Sequence, residues 1–253
     1  MTTTIPRLLV VAHPGHELRI HGWLCRHRPR TLVFTDGSGS KGEGRLASTA
    51  QVLAAAGVEA GAIFGRLSDQ ELYRLVLDGD YEAFDALAEE IAAEIVATGA
   101  VEVVADAAEG FNSGHDVCRL LVNTAVARAE ARTGRPVRNL EFLLHGAPDA
   151  AAPGAEHVIL DDTELERKFG AAHGYPEMAH EVAEALARFG AEPFRHEVLR
   201  PVSYRFDLAG CSDQPPFYEL HGEKRVAAGI YSRVLRFREH LEPLARHLEQ
   251  ARA

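Results

Sequence analysis

Two histidines lie three residues apart in the segment V-A-H-P-G-H-E, at positions 11–17. The segment follows an apolar run and precedes a stretch with helical spacing, which places His13 and His16 in a turn after a predicted strand. A third histidine, His115, lies in the first turn of a later predicted helix. Three imidazoles that leave a fourth position open are a ligand set of catalytic zinc. Unless they are ordinary turn or surface residues, the three histidines predict a site for Zn2+ or another divalent metal.

Short apolar runs alternate with stretches of helical periodicity along most of the chain. The predicted strands are 7–12, 31–35, 62–64, 101–105, 140–144 and 157–160. The predicted helices include 17–27, 45–56, 69–77, 81–98 and 113–132. This alternation favours an α/β fold with a mostly parallel sheet and helices on both faces. The charged stretch 223–252 predicts one long helix, which makes a C-terminal helical extension.

Further polar residues follow the predicted strands, and the carboxyl ends of parallel strands are where ligands bind in such sheets. Asp36 and Asp106 follow the second and fourth strands, so we expect them to organise the surroundings of the histidines. Asp36 also suits a common turn that ends a strand. His145 follows the strand at 140–144, where it could donate to a developing oxyanion or lie at the surface.

The bulk composition fits one globular domain, residues 1–253, with a core at about 5–200 and an extension at about 204–253. The net charge of −10 disfavours nucleic-acid and anionic-membrane partners. No apolar run reaches membrane length and no signal-peptide pattern begins the chain. The three cysteines, Cys25, Cys118 and Cys211, are far apart, which suits a reducing cytoplasm. The sequence leaves open whether the chain forms a homo-oligomer.

The ordered motifs resemble those of the PIG-L/LmbE-like zinc-dependent de-N-acetylases, a family with a Rossmann-like fold. The family's A-H-P-D-D-E after the first strand is similar to A-H-P-G-H-E at 12–17, and its T-D-G is matched at 35–37. Its L-G-L-P-D-G-E-L segment is similar to G-R-L-S-D-Q-E-L at 65–72. Its H-P-D-H motif corresponds to N-S-G-H at 112–115. The resemblance covers residues 5–145 and does not extend to the last hundred.

The resemblance implies that His13, His16 and His115 hold the metal, although the family has an aspartate as the middle ligand. It also implies that Arg45, which opens the next helix, contacts the substrate. A neutral histidine in place of an anionic ligand raises the charge at the metal by one. Such a site should therefore lower the pKa of a metal-bound water further, so that less help from a general base is needed.

The same motifs also depart from the family pattern at the residues that move protons. The family's general base maps to Gly15, and the second motif has lost a histidine and an aspartate at Asn112 and Gly114. Ordinary de-N-acetylation therefore cannot simply be carried over. We expect a divergent metal-dependent hydrolase of the amidase or deacetylase type, which cleaves a linear amide C–N bond in a small polar N-acyl molecule such as an amino sugar or glycoconjugate precursor. The alternatives are a non-catalytic relative that binds a sugar or a partner protein, and a metal-dependent lyase.

Overall fold

The computed structural model describes residues 5–39, 42–150, 152–202 and 214–251. Its strands are β1 (Arg7–Val11), β2 (Arg30–Thr35), β3 (Ala60–Leu67), β4 (Glu102–Asp106), β5 (Arg138–Phe142), β6 (Glu156–Ile159) and β7 (His196–Pro201). Its α-helices are α1 (His21–His27), α2 (Leu46–Ala56), α3 (Asp69–Asp78), α4 (Tyr81–Thr98), α5 (Ser113–Thr133), α6 (Asp162–His173), α7 (Ala179–Phe189), α8 (Phe217–Ala227) and α9 (Glu242–Gln250). Short 3-10 turns precede α1, α7 and β7, and a π-helical turn, Phe237–Leu241, precedes α9.

The strands of the described residues form one seven-stranded sheet in the order β3-β2-β1-β4-β5-β7-β6. The five strands from β3 to β5 are parallel, whereas β7 pairs antiparallel with both β5 and β6. The predicted α/β, Rossmann-like fold is confirmed. Because β1 lies between β2 and β4, the turns that follow these three strands meet at one edge of the sheet.

Alternate residues of β1 supply the two hydrophobic cores. Leu8 and Val10 belong to the core that α3, α4, α5 and α9 cover. Leu9 and Val11 belong to the core on the other face, with Trp23 of α1. Successive side chains of a strand point to opposite faces, so a run of buried apolar residues is what a strand covered on both faces requires. Helices on both faces hold the central strand and the turn after it in place.

The C-terminal region corrects one sequence prediction. The single helix predicted at 223–252 is wrong: α8 ends at Ala227, and α9 begins only at Glu242, after the π-helical turn. Gly229, with a φ of 70°, follows α8 in the left-handed conformation that ends helices. Over residues 214–251 the extension is helical but bent, and the segment 230–235 crosses to α3.

The cysteines and the apolar character of the helices bear on two further sequence expectations. Cys118 is buried and Cys25 half-buried, both as free thiols, whereas Cys211 lies outside the described residues. Within the described ranges, no helix combines the length and the apolar character needed to cross a membrane.

Candidate functional site

The turn after β1 is shaped by Gly15, whose φ of 100° is in the left-handed region that favours glycine. The Gly15 N–H donates to the Glu17 carboxylate over 2.8 Å and also contacts the Thr49 hydroxyl at 3.1 Å. The Thr49 hydroxyl in turn donates to Glu17 over 2.8 Å. Burial raises the pKa of Glu17, and these donors offset part of that rise. The role of Glu17 is therefore to fix the turn that carries His13 and His16.

The three predicted metal ligands are brought together by this turn and by the first turn of α5. The ring centroid of His13 lies 5.2 Å from that of His16 and 5.4 Å from that of His115. The His16 and His115 centroids are 4.6 Å apart. All three side chains are buried, with at most 8% of a residue exposed. The site therefore holds three adjoining imidazoles that are shielded from bulk water.

Two of the rings are held from behind through their Nδ1 atoms. His13 Nδ1 lies 2.7 Å from the Thr35 hydroxyl, which takes the hydrogen bond, and 2.8 Å from Asp69 Oδ1. His16 Nδ1 lies 2.8 Å from Asp106 Oδ2, an oxygen that also accepts the Ala12 N–H. A carboxylate behind a ring nitrogen is how proteins orient metal-binding histidines and make them more basic. The predicted organising role of Asp106 has this geometric support.

The pKa shifts of His16, His115 and Asp69 favour two neutral imidazoles and one ionised carboxylate in this site. Burial lowers the pKa of His16 despite the opposing pull of Asp106. Burial, together with the charges of the neighbouring rings, lowers the pKa of His115 well below its usual value. Burial alone would raise the pKa of Asp69, but the contact with His13 outweighs it and leaves that pKa well below its usual range. Neutral imidazole is the form that binds metals.

The fit of a divalent cation to these residues depends on free nitrogen atoms. His13 Nε2 and His115 Nδ1 are buried without a hydrogen-bond partner, which is rare for polar atoms in protein interiors. The rings touch, but across the described part of the chain no group of three or more His, Cys, Asp or Glu side chains has its donor atoms set to hold a metal ion. The donor chemistry therefore fits a cation, whereas a finished coordination sphere is not present.

Arg45 and Asp36 occupy different parts of this edge of the sheet. Arg45 lines the cleft beside His13, and its Nε atom is buried without a hydrogen-bond partner. The Asp36 carboxylate instead accepts the Ser38 N–H over 2.9 Å, and its carbonyl accepts the Arg45 N–H over 2.8 Å. Arg45 therefore borders the cleft, whereas Asp36 shapes the loop that precedes α2.

His145 is close to the histidines but is engaged by other groups. Its ring stacks on Phe111 at 3.8 Å, and its Nε2 lies 3.4 Å from an Arg188 nitrogen. Its backbone N–H is one of three, from residues 144 to 146, that donate to the Glu109 carboxylate. This contact ties the loop after β5 to the loop after β4. The predicted oxyanion role of His145 stays a prediction, and in this structure its side chain supports the loops.

Asp69 is the site residue that sequence reasoning missed. It is the first residue of α3 and lies between Ser68 and Glu71, which form the capping box of that helix. The segment 65–72 was matched to a family motif without a role for this carboxylate. β3 pairs with β2, and the end of β3 therefore delivers Asp69 to Thr35 and His13. The sequence signal was a carboxylate just after a strand, at the edge where ligands gather.

A cleft of about 650 Å³ opens beside His13. One wall is α3, and another is the segment 230–233 of the C-terminal extension. The Tyr73 hydroxyl accepts the Leu235 N–H over 3.0 Å and donates to the Arg233 carbonyl over 3.3 Å. Tyr73 therefore fastens the extension to α3, and the extension completes the cleft.

We expect Tyr73→Phe to loosen this wall. The ring stays, but the Leu235 N–H loses its acceptor, which costs about 1–2 kcal/mol of the free energy of unfolding. Denaturant unfolding measures the loss. Tyr81→Phe is the control, because within the described residues the Tyr81 hydroxyl makes no hydrogen bond to protein and its ring packs on His247. Equal stability of the two variants would mean that Tyr73 does not fasten the extension.

No protein-family model matches the chain, and no curated protein matches it significantly in sequence. Solved structures do match it in fold. The zinc-inhibited form of the teicoplanin deacetylase Orf2 is 14% identical, with a TM-score of 0.51 over 78% of this chain and 98% of that one. The A40926 pseudoaglycone deacetylase Dbv21 is 16% identical, with a TM-score of 0.53 over 78% and 97%. The conserved protein TT1542 from Thermus thermophilus is 17% identical, with a TM-score of 0.57 over 79% and 95%. The predicted resemblance is confirmed at the level of the fold, which this chain shares with two deacetylases.

Proposed function

We propose that the chain is a metal-dependent hydrolase that removes an acyl group from the nitrogen of a small polar molecule. The observation that carries the proposal is the meeting of three buried imidazoles, two of them backed by carboxylates, beside an open cleft. In the reaction, the amide C–N bond breaks while water supplies OH to the acyl carbon and a proton to the nitrogen. Shared fold with deacetylases supports this reaction class.

His13, His16 and His115 would hold the cation through imidazole nitrogens. A divalent cation there would supply Lewis-acid polarisation of the amide carbonyl and acidification of water. The chain's own residues set the conditions for this. Thr35 and Asp69 hold the His13 ring, and Asp106 holds the His16 ring.

The acyl-bearing molecule would lie in the cleft beside His13. The Arg45 guanidinium contributes a buried nitrogen with no protein partner, suited to a carbonyl, hydroxyl or carboxylate oxygen. Asp69 also lines the cleft and stays ionised beside His13, where it can accept a hydrogen bond from a substrate hydroxyl or amide. These groups favour a polar substrate on this side of the histidines.

We expect His115→Ala to remove bound metal and amidase activity together. Protein prepared without an affinity tag is analysed for zinc, manganese, iron, cobalt and nickel, and a panel of N-acylated amino sugars is assayed for free amine. His173→Ala is the control, because His173 ends α6 and is exposed. It should keep wild-type metal content and activity.

The same experiment separates the alternatives. Negligible metal in both wild type and His115→Ala, even after incubation with each ion, would contradict the metal site. Stoichiometric metal without amine release from any amide would favour the non-catalytic relative or the lyase. The non-catalytic alternative is tested because Gly15 has no side chain at the position where the family has its general base.

A further inference from the structure

A second cavity, of about 170 Å³, lies on the other side of the turn that carries Gly15 and His16. Most of its lining is apolar and comes from the 3-10 turn after β1 and from α6, α7 and the turn before β7. These side chains include Leu18, Leu144, Phe169, Val182, Leu186 and Phe194. Small-molecule sites are commonly apolar cavities with a few polar groups at one place. The cavity is of this kind, and His16 is the one residue of the histidine site that lines it.

Three charged residues line this cavity: Glu181 is at an exposed position of α7, whereas Arg19 and Lys168 have their ionic ends occupied elsewhere. The Arg19 guanidinium donates to the carbonyls of Leu143, over 2.9 Å, and Gly146. The Lys168 ammonium donates to the Arg19 carbonyl over 2.7 Å and to Glu197 over 2.8 Å. Long charged side chains that direct their ends away leave their methylene stems to line a cavity. Arg19 and Lys168 therefore add apolar lining, and an ionic ligand group is not required there.

Gly15 stands between this cavity and the histidines. A Cβ atom at Gly15 would lie 3.0 Å from the Met178 sulfur, so a side chain at this position would press on the cavity lining. His16 also lines the cavity, and its ring touches those of His13 and His115. The glycine at the position of the family's base thus also leaves room for the Met178 side chain in the cavity lining.

The histidines have polar surroundings on the side of the larger cleft and mostly apolar surroundings on the side of the smaller cavity. The larger cleft includes His13, Arg45 and Asp69, whereas the smaller cavity includes His16 among mostly apolar side chains. An N-acyl substrate has the same division about its amide carbon, with a polar amine part and an apolar acyl chain. We propose that the smaller cavity binds the acyl chain and that the preferred substrate carries a medium-length acyl group; this inference rests on the proposed function.

The size of the cavity supports this acyl length. At about 30 Å³ for each water-sized group, a volume of about 170 Å³ corresponds to five or six such groups. An acetyl group would leave most of this space empty, and burying each further methylene is worth about a fourfold change in binding. With the carbonyl carbon at the histidines, an acyl group of six or seven carbons would fill the cavity.

The test is a series of N-acyl glucosamines with acetyl, butanoyl, hexanoyl and octanoyl groups, assayed for free glucosamine. We expect kcat/KM to rise by up to about fourfold per methylene, and so by roughly 200-fold from acetyl to hexanoyl. Ala185→Leu, which places a larger side chain in the lining, should abolish the rise of kcat/KM with chain length. Ala187→Leu, on the exposed part of the same helix, should behave as wild type.

A binding measurement separates this inference from the proposed hydrolysis. Octanoate is titrated into wild type, Ala185→Leu and Ala187→Leu by calorimetry, with acetate as the reference ligand. Octanoate binding that Ala185→Leu abolishes and Ala187→Leu retains supports the cavity even if no amide is cleaved, in which case only the proposed hydrolysis fails. A flat chain-length profile, or octanoate binding that is equal in all three proteins, overturns the acyl site.

Discussion

Asp106→Ala is expected to weaken the affinity for a divalent cation by about 10–100-fold, because it removes the carboxylate that orients and polarises the His16 ring. Asp106 is completely buried, and its Oδ2 atom accepts from both His16 and the Ala12 N–H. The variant leaves that backbone donor buried without a partner, at a cost of about 1–3 kcal/mol of stability. Metal affinity is measured by competition with a chromogenic chelator, and stability by denaturant unfolding.

A matched aspartate separates the two effects of this substitution. Asp80 caps α4 by accepting the Ala83 N–H over 3.2 Å, so Asp80→Ala costs about 1 kcal/mol of stability. It should leave metal affinity unchanged, because its bond is confined to the cap of α4. Wild-type metal affinity in Asp106→Ala would remove His16 from the ligand set and leave the site with two histidines.

The position of the histidines could be predicted because it follows from strand order alone. His13 and His16 come directly after β1, and His115 comes shortly after β4, which pairs with β1 in the same direction. Turns that follow neighbouring parallel strands lie at one edge of the sheet. A reading of periodicity and turn residues therefore places these side chains together, without knowledge of any helix packing.

Asp69 and the unpaired ring nitrogens could not be predicted in the same way. Asp69 reaches His13 because β3 pairs with β2 through register shifts, and no local pattern specifies those shifts. Which nitrogen of His13 and of His16 is engaged depends on Thr35 and Asp106, which are 22 and 90 residues away from their partners. Periodicity describes neighbours along the chain, whereas these contacts depend on how the strands align.

β7 was overlooked because a charge interrupts its pattern. The strand H-E-V-L-R-P contains Glu197, which is only 1% exposed. A carboxylate in a short apolar run argues against a buried strand, since charged residues are buried only when they are paired. The partners of Glu197 come from α1 and α6, which are far away in sequence. Glu197, whose charge argues against a buried strand at this position, is also the residue whose loss should have the largest effect on stability.

Glu197→Ala should lower the free energy of unfolding by about 3–5 kcal/mol, since it leaves a buried Lys168 ammonium without its counter-charge. The Lys168 and Glu197 side chains are only 4% and 0% exposed, and the ion pair is 2.8 Å long. Glu197 also accepts the N–H groups of Gly22 and Trp23, at 2.8 and 2.7 Å, in the first turn of α1. No side chain caps that helix locally, so the carboxylate from β7 acts as its cap. Denaturant unfolding of purified variants measures the change.

Two further variants decide whether the unpaired ammonium causes the loss. Glu197→Ala combined with Lys168→Met should recover part of the stability, because no charge then remains buried alone, while the open first turn of α1 keeps the rest of the loss. Glu192→Ala breaks an exposed pair with Arg195 and should be indistinguishable from wild type. If the double variant is no more stable than Glu197→Ala, the helix cap rather than the ion pair is what Glu197 contributes. If Glu197→Ala unfolds like wild type, neither the buried ion pair nor the cap of α1 contributes to stability as expected.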